Sequence, residues 1–136
     1  MAKTVDDLLA EARSRLERLD PARASAAIAR GALLIDIRAE SQRAADGVVP
    51  GSVFIARNVL EWRCDPSSPH RDPSIDGREH QLIVMCNEGY QSSLAAANLQ
   101  ELGLTTATDL DGGFQAWRAA GLPVEPTDPV APSPGS

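Results

Sequence analysis

The chain has 136 residues and a formal net charge of −6, and 43% of its residues are hydrophobic but only 4% aromatic. This length fits one domain with short extensions and is sufficient to bury a core without disulfides or a structural metal. The acidic balance argues against binding nucleic acid through a basic face, and the few aromatic residues argue against a base-stacking surface.

The chain holds two cysteines, Cys64 and Cys86, and two histidines. No closely spaced cluster of these residues occurs, so we expect no metal site and no cofactor. The first residues lack the pattern of a signal peptide, and no apolar run reaches the ~20 residues of a membrane span. We therefore predict a cytoplasmic protein with no membrane partner, whose cysteines stay reduced.

Apolar residues three and four apart predict an amphipathic helix over residues 4–19. Thr4 and Asp7 form a capping-box pattern at its start. We interpret residues 1–19 as a helical extension that packs on its own domain. A dimer contact through this helix is the alternative, so both a monomer and a dimer remain open.

Strand and helix patterns alternate along the rest of the chain. Predicted strands are residues 32–37, 53–55, 81–85 and 106–110. Predicted helices run from Asp20-Pro21 to Gly31, over 58–62, from a Ser92 or Ser93 cap to Gly103 with Ala95, Leu99 and Leu102 inward, and from Gly112-Gly113 to Gly121 with Phe114 and Trp117 in the core. This order predicts an α/β fold with a mainly parallel central sheet and helices on both faces.

Two segments have the composition of irregular structure. Residues 63–78 are rich in Pro, Asp, Ser and Arg and predict a surface loop, and residues 126–136 predict a disordered tail. Residues 20–125 then form the main domain.

Cys86 is the residue where we expect chemistry. It follows the apolar run 82–85, and the sequence continues as Asn-Glu-Gly-Tyr-Gln-Ser before an alanine-rich helix. The amides of such a loop turn inward and the helix end adds partial positive charge, so an anion is favoured there. The thiolate is the nucleophilic form of cysteine. A structural cysteine that merely ends a buried strand is the alternative.

Four motifs in the same order resemble a single-domain rhodanese, a member of the sulfurtransferase family. They are the strand with Asp-x-Arg at 34–38, the turn Gly-Val-Val-Pro-Gly-Ser at 47–52, the cysteine loop at 86–92 and the closing motif at 112–124. The resemblance spans residues 20–125. It implies that Cys86 takes a sulfur as a persulfide from a small anionic donor such as thiosulfate, or from a protein or low-molecular-weight persulfide, and passes it to a thiol or cyanide acceptor.

The remaining candidate residues follow from this resemblance. Backbone amides of the loop would hold the persulfide anion as an oxyanion hole does. Arg57 and Arg63 lie in a segment that approaches the site in the resembling fold, and each is a candidate for attracting an anionic donor, with a solvated salt bridge as its alternative. The candidate substrate-binding residues are Asn87, Glu88, Gly89, Tyr90, Gln91, Ser92 and Arg57.

Three positions depart from the family pattern. Gln91 stands where many members have an arginine, Glu88 adds a carboxylate to the loop, and Val48 replaces a histidine. Arginine would grip a sulfonate with two charged donors, whereas glutamine offers a neutral amide. We therefore predict weaker turnover of thiosulfate than in an arginine-containing relative.

Other polar residues favour structural roles. Asp36 is expected to accept backbone amides and Arg38 to pair with an acid such as Glu40. Cys64 is expected to be an incidental surface thiol, and Tyr90 to shield one wall of the site.

Two other functions compete with sulfur transfer. A rhodanese-like module that carries or senses sulfur, or docks a partner, with little turnover is favoured by Gln91 and Glu88. A cysteine-dependent phosphatase would need a loop one residue longer and an arginine at its end, and this chain has neither.

Overall fold

The computed structural model describes residues 2–79 and 81–127, so most of the predicted tail at 126–136 lies outside the described residues. The strands are β1 (Leu33–Asp36), β2 (Val53–Phe54), β3 (Leu82–Met85) and β4 (Thr108–Asp109). The helices are α1 (Val5–Arg13), α2 (Pro21–Ala29), α3 (Glu40–Asp46), α4 (Leu60–Cys64), α5 (Gln91–Glu101) and α6 (Gly113–Ala119). Short 3₁₀ turns occupy Arg57–Val59 and Pro73–Ile75.

The four strands form one parallel sheet in the order β2-β1-β3-β4, which confirms the predicted fold class. Asp36 pairs in register with Met85, so β1 and β3 end at the same edge. Parallel α/β sheets bind their ligands beyond the carboxyl ends of the strands. Cys86 therefore leaves the sheet where a ligand site is expected.

Both faces of the sheet are covered by helices, because alternate strand residues point to opposite sides. One hydrophobic layer contains Leu33, Ile35, Leu82 and Val84 with Leu60, Cys64, Ala95, Ala96 and Leu99 of α4 and α5. The other contains Leu34, Ile83 and Met85 with Ala24, Ala27, Phe114 and Trp117 of α2 and α6. The predicted core roles of Phe114 and Trp117 are confirmed, since the two are 0% and 3% exposed.

The N-terminal helix is shorter than predicted. α1 begins after Thr4 with the predicted capping box and ends at Arg13 instead of continuing to Leu19. The amide of Leu19 instead donates to the Asp109 carbonyl, and the Leu19 carbonyl accepts from Asp111. Leu19 thus forms hydrogen bonds with backbone groups at the otherwise open edge of β4. The helical spacing of apolar residues in the sequence does not reveal this pairing.

α1 packs against α5 of the same chain. Leu9 and Ala12 are buried in this contact, while Val5 and Leu8 are exposed. Among the described residues, no helix has the length and hydropathy needed to cross a membrane.

Helix α3 was not predicted from the sequence. All its residues are polar or alanine and none is buried, so it carries no apolar periodicity. The helix ends at Gly47, whose φ is 87°. A Cβ there would lie 2.7 Å from the Glu125 carbonyl oxygen, so only glycine allows the close bridge between Val48 and Glu125.

Candidate active site

The sulfur of Cys86 accepts hydrogen bonds from the loop that follows it. The amide of Gly89 donates to Sγ at 3.1 Å and the amide of Ser92 at 3.4 Å. Cys86 itself is 6% exposed, so its sulfur lies at the base of the loop and still reaches a surface cavity. Two converging amides favour the anionic form of a bound group over the neutral one.

Helix α6 fixes the first two peptides of the loop. The amide of Phe114 donates to the Cys86 carbonyl at 2.9 Å, and the amide of Gln115 to the Asn87 carbonyl at 3.1 Å. The carbonyl and the amide of a trans peptide point in opposite directions. The amides of Asn87 and Glu88 therefore face away from α6.

The next peptides are fixed from the N-terminal segment and from α5. The Gly89 carbonyl accepts from Nη2 of Arg13 and from Nη2 of Arg18, each at 2.8 Å. The Tyr90 carbonyl accepts from the Ser93 amide at 3.2 Å. By the same geometry the amides of Tyr90 and Gln91 point away from these partners.

Gly89 is at a position that only glycine fills. Its φ is 90°, and a Cβ would lie 2.7 Å from the Gly112 amide nitrogen and 3.2 Å from Nη2 of Arg18. Gly113 is equally restricted, because a Cβ there would lie 2.5 Å from the Cys86 carbonyl oxygen. The loop and the start of α6 therefore meet backbone to backbone.

The predicted serine cap of α5 is wrong. The helix begins at Gln91, after Tyr90, and Ser92 and Ser93 lie inside its first turn. Their hydroxyls donate to the Asp109 carboxylate at 2.7 and 2.8 Å instead of accepting backbone amides at the start of the helix. The demand of a buried carboxylate for donors outweighs local capping.

Asp109 joins the loop to the N-terminal segment. Its carboxylate is fully buried and also accepts from Nε of Arg18 at 2.9 Å. Burial by itself lowers the pKa of Arg18, but the hydrogen bond and charge of Asp109, with smaller contributions from Asp111 and Cys86, raise that pKa above its ordinary value. Arg18 therefore stays a cation beside the loop.

A second buried ion pair lies under the cavity. Asp36 accepts the Arg38 amide, as predicted, but Arg38 pairs with Asp36 at 2.9 Å and not with Glu40 as we expected. The two side chains are fully buried next to each other, whereas α3 carries Glu40 away on an exposed turn. Arg38 also stacks on the ring of Phe114 at 3.8 Å, and its Nη1 has no hydrogen-bond partner among the described residues.

A cavity of about 390 Å³ opens above Cys86. Its lining residues are Ile37, Arg38, Ala39, Gln42, Cys86, Asn87, Glu88, Tyr90 and Gln91. Glu88, Tyr90 and Gln91 are exposed at its mouth. This volume suits a small molecule or the end of a longer one.

The structure brings most of the predicted site residues together. All the loop residues surround the sulfur or line the cavity, except that Ser92 points its hydroxyl inward to Asp109. Arg57 lies in a neighbouring cavity that shares Arg38 and Gln91 with the first, and it forms an ion pair with Glu61 at 2.9 Å.

Cys64 is not a surface thiol, contrary to our expectation. It is 0% exposed at the end of α4 and belongs to the hydrophobic layer that contains Leu60 and Leu99. Burial raises the pKa of its thiol to about 12, with the charges of Asp72 and Glu61 adding to the effect. The two cysteines are both free.

Sequence reasoning missed Arg13, Arg18 and Asp109 as parts of this site. Asp109 carries a usable signal, because it ends a strand at the same sheet edge as Asp36. No sequence pattern identifies the two arginines as part of the site, since the group that they share is the backbone carbonyl of Gly89, far away in sequence. Within the described ranges, no group of three or more His, Cys, Asp or Glu side chains is arranged to hold a metal ion.

A cysteine at the carboxyl edge of a parallel sheet, with loop amides on its sulfur and a small cavity above, defines a class of α/β proteins with a cysteine-loop site. More specifically, residues 20–120 match the rhodanese-like domain, and the chain belongs to that family.

Individual relatives agree with this assignment. Thiosulfate sulfurtransferase GlpE of Stutzerimonas stutzeri (strain A1501) is 34% identical over 102 residues, covering 75% of this chain and 84% of the relative. A solved structure from Rhodopseudomonas palustris CGA009, a protein of unknown function described as a possible tyrosine phosphatase, has a TM-score of 0.82 and 35% identity over 92% of this chain and 96% of that one. Thiosulfate sulfurtransferase of Pseudomonas aeruginosa has a TM-score of 0.66 and 25% identity, covering 82% of this chain and 20% of that chain.

Proposed function

We propose that this protein is a sulfurtransferase that carries sulfur on Cys86 as a persulfide. The observation that carries the proposal is the pair of amides, from Gly89 and Ser92, directed at the Cys86 sulfur at the base of an open cavity. Membership of the rhodanese-like family and the thiosulfate sulfurtransferase activity named for its relatives support it.

The reaction has two steps. The Cys86 thiolate attacks the outer sulfur of thiosulfate, the bond between the two sulfur atoms of the donor breaks, and sulfite leaves with the electron pair. An acceptor thiolate or cyanide then attacks the outer sulfur of the persulfide, giving a new persulfide or thiocyanate and restoring the Cys86 thiolate. No external oxidant is needed, and the covalent intermediate gives ping-pong kinetics.

Each part of the loop has a role in these steps. Gly89 and Ser92 hold the sulfur attached to the chain, and the amides of Asn87, Glu88, Tyr90 and Gln91 are the donors for the outer sulfur. Tyr90 walls the cavity mouth, where its ring is exposed. Glu88 disfavours a dianionic donor, so a less charged or protein-bound persulfide is the better substrate.

Mass spectrometry of the intact protein tests the proposal. Incubation with thiosulfate or a low-molecular-weight persulfide should add about 32 Da, the mass of one sulfur atom, and a thiol acceptor should remove it. A Cys86→Ser variant should gain nothing, whereas Cys64→Ala should behave like the parent because Cys64 is buried. Absence of the added mass with every donor would sink the proposal.

The second candidate is a sulfur-carrying, sensing or docking module with little turnover. Gln91 and Glu88 at the cavity mouth favour it, because neither supplies the charge that holds a sulfonate. It predicts a stable persulfide that forms once and is released slowly, whereas the enzyme predicts many turnovers per protein with an excess of acceptor. Phosphatase activity is disfavoured, since the residue at the end of the loop is not an arginine.

A further inference from the structure

Two arginines of the N-terminal segment converge on a single carbonyl of the cysteine loop. Arg13 and Arg18 each donate to the Gly89 oxygen at 2.8 Å. Both precede residues 20–120, the part of the chain that matches the rhodanese-like domain. Two cations beside one neutral oxygen repel each other, so this arrangement is retained only where other groups compensate it.

The surroundings supply that compensation. Arg18 pairs with the buried Asp109 at 2.9 Å and with Asp111 at 3.1 Å. Arg13 donates to the Ser93 hydroxyl at 3.1 Å and lies over the ring of Tyr90 at 5.7 Å. Each arginine is thus held by contacts besides the Gly89 carbonyl.

Gly89 lacks a side chain, so the peptide between Gly89 and Tyr90 is less restricted in rotation than a peptide between two larger residues. A rotation of this peptide would turn its carbonyl oxygen toward the sulfur and its amide away. The oxygen would then repel an anion that the amide should bind. With the Gly89 carbonyl held by two guanidinium groups, the Tyr90 amide stays on the opposite side.

The charge of the loop makes this contribution necessary. Residues 87–93 contain no cation, and their one charged member is Glu88. Arg18 remains charged, and the negative charge of Cys86 is one of the causes that raise the pKa of Arg18. Charged side chains that contact the loop, line the cavity or pair with those that do include Arg13, Arg18, Asp36, Arg38, Arg43, Glu88, Asp109 and Asp111.

We propose that Arg13 and Arg18 are positioning residues of the site: they orient the Gly89–Tyr90 peptide toward the anion and supply, from behind the loop, the fixed positive charge that Gln91 does not provide. This proposal rests on the proposed role of Cys86 as the sulfur-bearing thiolate. It makes the segment before residue 20 a working part of the site. Neither arginine lines the cavity, so we expect an effect on the reacting sulfur and not on donor binding.

The test uses Arg13→Gln and Arg13→Lys in the full chain, with Arg15→Gln as the matched control. Arg15 is on the same segment but forms an exposed ion pair with Glu101. Reaction of Cys86 with the neutral reagent iodoacetamide, followed by intact mass, reports the thiolate without any sulfur donor. Its rate at neutral pH should fall about tenfold in Arg13→Gln, as expected for loss of one charged hydrogen bond.

The conservative variants Arg13→Lys and Arg18→Lys, together with steady-state kinetics, distinguish a positioning role of the arginines from a purely structural one. Arg13→Lys should be alkylated faster than Arg13→Gln but more slowly than the parent. Arg15→Gln should be alkylated at the parent rate. In sulfur transfer, kcat should fall in Arg13→Gln while KM for the donor stays unchanged. Arg18→Lys, which retains a charge beside Asp109, should likewise lose less of the alkylation rate than Arg13→Gln.

Failure of the arginine inference and failure of the sulfurtransferase proposal give different results. If Arg13→Gln lowers only the melting temperature and leaves the alkylation rate and kcat at parent values, the arginine is structural and our inference is overturned. If the parent takes up no sulfur, the sulfurtransferase proposal fails, and the alkylation rates still decide whether the arginines act on the Cys86 sulfur.

Discussion

The hydroxyl of Ser92 donates a 2.7 Å hydrogen bond to the carboxylate of Asp109, and both residues are fully buried. Ser93 and Arg18 donate to the same carboxylate. The first turn of α5, the end of β4 and the N-terminal segment therefore share one buried charge. A buried carboxylate is tolerated only while its donors remain, which makes this group a sensitive point of the fold.

Replacing Asp109 by asparagine should lower the free energy of unfolding by about 3 kcal/mol, because the charge of Arg18 loses its buried partner. Denaturant unfolding measures this loss. Asp111→Asn is the control: Asp111 pairs with the same arginine but is 60% exposed, and its loss should cost less than about 1 kcal/mol. Equal effects of the two variants would contradict the importance of the buried pair.

Gly89→Ala should abolish sulfur uptake by Cys86 and destabilise the protein. A Cβ there meets the Gly112 backbone at 2.7 Å in addition to the cost of a φ of 90°. Gly103→Ala isolates the backbone cost, because its φ is 91° and nothing lies within 4 Å of its Cβ. That control should lose about 1–2 kcal/mol and keep its activity. Persulfide formation by Gly89→Ala at the parent rate would refute the close-packed loop.

Gln91→Arg should raise kcat/KM for thiosulfate about tenfold, because a guanidinium at the cavity mouth adds charged hydrogen bonds to the sulfonate. Steady-state assays with thiosulfate and cyanide measure the change. Thr105→Arg adds the same charge beyond the far end of α5, on an exposed residue, and should leave the rate unchanged. No gain in Gln91→Arg would argue against the prediction that the glutamine limits thiosulfate turnover.

Arg57→Ala tests whether the neighbouring cavity attracts anionic donors. Loss of this cation should raise KM for thiosulfate a few-fold at low ionic strength and have less effect at high salt. Arg63 is the matched control, since it binds the His70 carbonyl and Asp72 instead of lining that cavity. If Arg57→Ala and Arg63→Ala have the same KM as the parent, Arg57 serves only its ion pair with Glu61.

Cys64 should make stability fall at alkaline pH. Burial raises the pKa of its thiol from the ordinary 9.0 to about 12, so the unfolded state loses the proton first as pH rises. This stabilisation is fully present below about pH 9 and declines between about pH 9 and 12, by at most about 1.4 kcal/mol per pH unit. Unfolding of the parent and Cys64→Ala should therefore converge above about pH 9, and a constant difference between them would contradict the assignment.

The sequence predicted those parts of the fold whose signal is local. The apolar runs at 32–37 and 81–85 correspond to β1 and β3, and the Thr4–Asp7 capping box forms as expected. Gly31 and Gly103, which were predicted to end two helices, follow the ends of α2 and α5 and have positive φ. Helix α3 was not predicted because a helix with no buried face has no periodic pattern of apolar residues.

The parts that the sequence did not predict depend on contacts between distant segments. Leu19 has helical spacing from Leu16 but pairs with the edge of β4. Ser92 and Ser93 resemble helix caps but satisfy Asp109. Cys64 sits in a polar stretch of sequence, yet its helix turns it into the core. In each case a tertiary partner overrides a correct local preference.

The cysteine loop is completed from two distant parts of the chain. Arg13 and Arg18 precede it by many residues, and the amides of Phe114 and Gln115 that bind its first carbonyls are made well after it. During synthesis on the ribosome, Cys86 thus emerges after the two arginines but before the α6 amides that complete its loop. Until α6 docks, the carbonyls of Cys86 and Asn87 lack these partners, so the loop reaches its final shape only after the last helix has folded.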